Sequence, residues 1–337
     1  MLQGGFYGMK KMILALSLCL CLLAGTGCSA GGDAAEDIGD GASRLLEDGG
    51  DMVSDLGDTA SNLLEDGGNA VSELGDSVSD TISDTDSSLN TPANTTAQVP
   101  LGDLSGYSTV AQGWGQGKNV DAENRPDACL QYQQKYGKLG GVFLGADQPV
   151  MTLTFDEGYE NGYTAQILDT LKEKQVSAVF FCTLDYIEGN PELVQRMIDE
   201  GHVVANHSAS HASTPTLSAT EVAQEILEVH QVVQEDFGYT MTLFRNPEGS
   251  FCERDLAIAQ QLGYQSVFWS FAYVDWVVDD QPDPDESLTR LVDAIHPGAI
   301  YLLHPVSSTN AAILGDFIEQ ARQKGYEFTS EITPLQT

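Results

Sequence analysis

From Val150 to the C-terminus, short apolar runs alternate with helical periodicity, and this alternation restricts the fold more than any other feature of the chain. Runs at 150–155, 178–183, 202–206, 242–245, 266–272, 299–304 and 326–329 are strand-like. Helical patterns at about 162–174, 191–200, 218–236, 253–262, 286–294 and 309–324 separate them. Pro191, Ser218 with Glu221, and Ser250 with Glu253 mark helix starts. Gly201, Gly263 and Gly325 sit just past helix ends, where a left-handed cap is wanted. Seven strands with six connecting helices predict a parallel, barrel-like α/β domain. In such barrels the C-terminal strand ends carry the chemistry.

Reactive groups fall at those ends. The stretch MTLTFDEGYENGYT ends a strand in Asp156 and Glu157, then turns at Gly158. Adjacent side chains on a strand diverge, so one acid could bind a metal while the other holds a proton; a solvated turn is the plainer alternative. In HSASH, His207 and His211 are spaced i and i+4. On a helical turn their imidazoles would point the same way and share one borderline metal, with a carboxylate strand end as third ligand. A hydrogen-bonded structural pair is the competing reading. No HExxH exists, which disfavours a zincin-type protease.

Arg245, in FRNPEG, follows a strand and is held between Pro247 and Gly249. It could grip a carboxylate and keep it ionised, or be a surface charge. Asp275 offers an acid beside Trp276, and Trp269, Phe271 and Trp276 suit either a core or a sugar platform. His304 closes a strand, and imidazole is the group that titrates near neutrality. His202, His230 and His296 are assigned no chemistry. Five clusters at five strand ends read as one site.

Composition limits the partners. A net charge of −35 and a pI near 4.1 argue against nucleic acid or an anionic membrane surface as an electrostatic partner. At 337 residues the chain exceeds the usual single domain, which points to a part that does not fold. Residues 1–28 have the form of an export signal: Met9-Lys10-Lys11, then an apolar Met12 to Ala24 too short to span a bilayer stably. Gly25-Thr26-Gly27-Cys28 resembles a bacterial lipobox, with Gly25 where Leu is usual. A lipid on Cys28 would anchor the protein to the outer face of the cytoplasmic membrane.

Residues 29–100 carry 16 acids against Arg44 and no aromatics, and GASRLLEDGGDMVSDLGD recurs as TASNLLEDGGNAVSELGD. Paired glycines weaken any helix there, so the stretch reads as a self-repelling tether. Residues 101–337 form the folded domain, with 101–147 as an irregular lead-in. Cys129, Cys182 and Cys252 cannot all pair and have no CxxC spacing, which argues against disulfides or a cysteine zinc site. Nothing in the sequence sets the oligomeric state.

In order, TFDEG, HSASH, RNPEG, DW and LLH resemble the five motifs of the polysaccharide deacetylases, carbohydrate esterase family 4. The likeness spans roughly Val150 to Phe328. GYENGYT, GSFCERDLAIAQQLGY, VFWSFAYVDWVVDDQ and HPGAIYLLH are similar to the branch that de-N-acetylates muramic acid during muramic δ-lactam formation in spore peptidoglycan.

The resemblance implies a distorted (β/α)7 barrel that releases acetate from a peptidoglycan amino sugar, with N-acetylglucosamine as the alternative to N-acetylmuramic acid. It implies Asp156 as general base, Arg245 orienting it, and His304 as general acid tuned by Asp275. His207 and His211 would bind a divalent metal, expected to be zinc, and Leu302 would line the acetyl pocket with Trp276 beside it. Glu157 stands where the family has Asp, or often Asn in this branch, as the third ligand. Two other classes stay open: a metal-free glycoside hydrolase using Asp156 and Asp275, and a catalytically silent wall-binding lipoprotein.

Overall fold

The structure, a computed structural model, describes residues 101–336. The expected export segment, Cys28 with its lipid, and the acidic tether lie outside the described residues.

The spine is β3 (Val150–Glu157), buried along all but its first residue. It pairs in parallel with β4 (Val179–Cys182), β9 (Ala299–Leu303) and, at its start, β10 (Glu327–Phe328). From β4 the parallel sheet runs on through β5 (Val203–Asn206), β6 (Leu243–Phe244) and β8 (Gln265–Val267) to β2 (Gly141–Val142). A parallel bridge from Phe271 to Tyr301 draws the β8 side back towards β9. Curled in this way, the eight-stranded sheet forms the expected distorted (β/α)7 barrel.

Side-chain alternation sorts residues between two cores. On β4, Val179 and Phe181 join an inner cluster with Val142, Ala205, Val267 and Ile300. Phe180 and Cys182 join the outer cluster between sheet and helices. Asp156 is in register with Phe181, and Glu157 with Cys182. Asp156 therefore faces the barrel interior and Glu157 faces the helix layer.

The helices, in chain order, are α1 (Asp127–Tyr136), α2 (Thr164–Lys174), α3 (Leu184–Gly189), α4 (Pro191–Asp199), α5 (Ala219–Phe237), α6 (Glu253–Gln261), α7 (Pro284–Asp293) and α8 (Ser308–Gln323). Ser218 caps α5 in a capping box with Glu221, satisfying two otherwise orphaned N–H groups. Gly201, Gly263 and Gly325 have φ of 79°, 88° and 88°, the left-handed values their positions suggested. Cys129, Cys182 and Cys252 are buried free thiols.

The structure departs from the sequence reading in several elements, beginning with an unexpected short helix, α3. Residues 101–147 are more regular than expected, since they contain α1 and β2, and β2 extends the main sheet. Ser250 does not cap α6. It lies in β7 (Ser250–Phe251), which pairs antiparallel with β1 (Gln112–Gly113), and the Cys252 N–H donates to the Asp255 carboxylate instead. The run 266–272 is a strand only to Val267; beyond it Ser270 and Phe271 bond to β9 irregularly.

Candidate active site

Asp156 sits at the C-terminal end of β3 on the inner face, 8% exposed. Across the barrel Arg245 follows β6 and is fully buried, which rules out the surface-charge reading. Its Nη1 donates to Asp156 Oδ1 at 2.6 Å, while Nε donates to the Val267 carbonyl at 3.0 Å and Nη2 to that of Phe268 at 3.4 Å. The guanidinium lies 4.0 Å from the Phe181 ring centroid, a cation–π contact inside the barrel. Two backbone carbonyls and one ring fix the cation, and the cation fixes the acid. Burial alone would raise the Asp156 pKa, but the charge of Arg245, helped by His207 and His304, outweighs it and holds the carboxyl below its ordinary value.

His207 follows β5. Its Nδ1 lies 3.0 Å from the Arg245 carbonyl, so Nδ1–H donates there and Nε2 keeps its lone pair. That Nε2 is 3.5 Å from Asp156 Oδ2. The His207 and His211 ring centroids are 4.9 Å apart, at 78° to one another. No helical turn brings them together. The segment after β5 is irregular, and Ser208 and His211 adopt φ of 70° and 57°, a left-handed backbone that is uncommon outside glycine and concentrates at functional sites. Burial disfavours the charged form of both imidazoles: it lowers the His207 pKa, and it lowers that of His211 to about 4 with further help from His207.

His304 follows β9. Asp275 accepts from its Nδ1 at 2.7 Å and from its backbone N–H at 2.9 Å, so Nε2 is the nitrogen left for a ligand. Burial opposes the charged imidazole, but the Asp275 carboxylate outweighs it and raises the His304 pKa. Asp275 is fully buried, and Asn310 donates to its Oδ2 at 2.6 Å. Asn310 in turn accepts from the Tyr273 hydroxyl and donates to the His304 carbonyl at 3.2 Å. Sequence reasoning did not single out Asn310 or Tyr273. An Asn in the first turn of α8 carries no local signal, and only the fold brings it under Asp275.

Trp276 is half-buried, edge-on to His304 with ring centroids 5.3 Å apart. Leu302 is 5% exposed and packs in a cluster with Phe268 and Trp269. His202, His230 and His296 are each tied to ordinary partners: the Ala178 N–H, the Tyr264 hydroxyl and the Ser270 hydroxyl.

Glu157 does not join the imidazole pair. It points into the helix layer beside Thr164, Tyr186 and Glu160, and neither carboxylate oxygen has a partner at full hydrogen-bonding geometry among the described residues. Burial, then the charge of Glu160, raises its pKa well above the ordinary value. The described residues hold no group of three or more His, Cys, Asp or Glu that could together bind a metal. His207 and His211 fit the demand for neutral imidazoles with a free nitrogen, the former oriented by a carbonyl on its other nitrogen. Glu157 as third ligand does not fit, because strand alternation turns it away from the barrel interior.

The barrel is that of a hydrolase family. The chain belongs to the polysaccharide deacetylase family, carbohydrate esterase family 4, a generally metal-dependent family. The pattern of the family "Polysaccharide deacetylase" matches residues 145–267. The peptidoglycan-N-acetylmuramic acid deacetylase PdaA of Bacillus subtilis is 40% identical over 219 residues, which cover 64% of this chain and 83% of that protein. A solved structure of Bacillus subtilis PdaA, described as a family 4 carbohydrate esterase, superposes with a TM-score of 0.63 at 38% identity, covering 66% of this chain and 95% of that one. A peptidoglycan-N-acetylglucosamine deacetylase, PgdA of Listeria monocytogenes, is 32% identical over 180 residues, 53% of this chain and 37% of that protein.

Proposed function

We propose that this chain hydrolyses the N-acetyl group of a peptidoglycan amino sugar, N-acetylmuramic acid by preference, releasing acetate and a free amine. The observation that carries the reading is a pair of opposed ionisations within one cleft. Arg245 holds Asp156 as a carboxylate at 2.6 Å, and Asp275 holds His304 towards its protonated form at 2.7 Å. A base ready to take a proton therefore shares the site with an acid ready to give one.

In this reading Asp156 takes the proton of the attacking water, and the tetrahedral oxyanion collapses as His304 protonates the departing nitrogen. Arg245 and Asp275 act through their partners, as positioning residues. Leu302 contacts the acetyl methyl group, and Trp276 offers a flat face to the sugar. His207 and His211 would hold the divalent ion, which we take as zinc; when bound it supplies Lewis acidity to the acetamide carbonyl and to water. For N-acetylmuramic acid, the freed amine can close on the lactyl carboxyl, which would give the muramic δ-lactam.

Similarity to PdaA favours the muramic sugar, and the weaker likeness to PgdA keeps N-acetylglucosamine as the second substrate. Peptidoglycan lies outside the cytoplasmic membrane, which fits export through residues 1–28 and anchoring by Cys28; palmitate-analogue labelling that depends on Cys28 tests the anchor.

The deciding assay incubates the protein with peptidoglycan glycans rich in each sugar and measures acetate with and without EDTA. Chelator-sensitive acetate release supports the reading. Reducing ends formed without metal would point to a glycosidase, and no turnover to a silent binder. In Asp156→Asn, acetate release should fall about 10²- to 10⁴-fold with zinc content nearly unchanged; undiminished release would remove Asp156 as the base.

A further inference from the structure

Directly behind the cleft, on the other face of the β3 end, lies a polar pocket that the deacetylation chemistry does not use. Glu157 reaches into it from β3, Glu160 from the loop before α2, Thr164 from the first turn of α2 and Tyr186 from α3. Glu157 and Tyr186 are 0% and 1% exposed. Both Glu157 oxygens, Glu160 Oε2 and the Tyr186 hydroxyl are buried with no partner at full hydrogen-bonding geometry among the described residues, although the Thr164 and Tyr186 hydroxyls lie near enough to Glu157 to favour its ionised form. The Thr164 hydroxyl stands beside both Glu157 and Tyr186. Two acidic side chains thus meet buried hydroxyl oxygens on this face.

We propose that Glu157, Glu160, Thr164 and Tyr186 form a second cation site, made only of oxygen donors and taking a divalent ion of the calcium class. Hard cations select carboxylate and hydroxyl oxygens, whereas the imidazoles in the cleft suit zinc. A divalent charge balances the two carboxylates, and the ion engages the oxygens that the protein leaves unmatched. The pocket also sits where a tie would matter. Glu160 Oε1 accepts from the Gly162 N–H, and Asn161 Nδ2 donates to the Val306 carbonyl at 2.9 Å, two residues beyond His304. An ion held by Glu157 and Glu160 joins the strand end carrying Asp156 to the loop that reaches the His304 side of the cleft. Its role is structural, and it stands or falls separately from the acetate-release reading.

The test is thermal unfolding of the EDTA-treated full chain, titrated with calcium chloride and, separately, zinc chloride. Calcium at about a hundred times its Kd should raise Tm by roughly 5 °C or more. Glu160→Gln and Tyr186→Phe should abolish or strongly weaken the calcium shift while keeping the fold by circular dichroism. Both variants should retain zinc binding measured by equilibrium dialysis. His211→Ala should do the reverse, losing zinc and keeping the calcium shift. The acidic N-terminal stretch is common to all variants, so its own weak calcium binding cancels. Absence of a calcium shift in the wild-type chain, or an equal shift in Glu160→Gln and Tyr186→Phe, overturns the site.

Discussion

Two charge pairs, each with a fully buried member, underlie the proposed chemistry residue by residue, and each gives a measurable consequence. Because Asp275 raises His304 above its ordinary value of 6.5, the activity attributed to protonated His304 should persist above that pH and fall only as pH rises through the raised value. Asp275→Asn removes the charge that holds the proton, so the alkaline limb of the acetate-release profile should move to lower pH; an unmoved limb would separate His304 from the acid role. Stability has the same sign. The contribution of the His304–Asp275 pair is fully present below the unfolded histidine value and is lost as pH rises through the folded one.

Arg245 and Asp156 form the other pair, with Arg245 fully buried. Arg245→Met strands a buried carboxylate and should cost about 3–5 kcal/mol in urea unfolding, well beyond a surface substitution. The motifs alone made Asp156, His207, Arg245 and His304 legible. They did not disclose that Glu157 turns outward, because a sequence shows that neighbours on a strand diverge but not which face is the barrel interior.

Elements with long periodicity or explicit caps were readable, and two-residue pairings outside an apolar run were not. The capping box at Ser218 opens α5 (Ala219–Phe237), the longest described helix. Ser218→Ala should cost about 1 kcal/mol, lowering Tm by about 2–4 °C in a domain of this size, without changing acetate release at low temperature. A drop as large as that for a core truncation would mean that the cap supports more than its own helix.

By contrast, β1 (Gln112–Gly113), β2 (Gly141–Val142) and β7 (Ser250–Phe251) are too short to leave a periodic trace. They exist because a neighbouring strand edge offers hydrogen bonds. The HSASH pair illustrates the same limit. Spacing suggested a helical turn, whereas left-handed Ser208 and His211 set the two rings 4.9 Å apart.

On the scale of the whole molecule, closure of the sheet depends on distant segments. β9 pairs with β3 over five residues, from Met151 with Ala299 to Phe155 with Leu303, and β10 pairs with the start of β3. A fragment limited to residues 145–267, the span of the family match, lacks both strands and both residues of the His304–Asp275 pair. It should remain unfolded by circular dichroism, and a cooperative transition in it would show that the barrel closes without its C-terminal part.

The sequence by itself determined the alternation of strands and helices, hence a parallel barrel, and the strand ends at which acids, imidazoles and a guanidinium accumulate. Periodicity and capping are local, so one chain is enough to read them. Only the tertiary structure decided that Asp156 meets Arg245, that Asn310 and Tyr273 brace Asp275, and that Glu157 belongs to the helix side. Those outcomes depend on how the sheet curls and which face it buries, and that is a property of distant segments packing together.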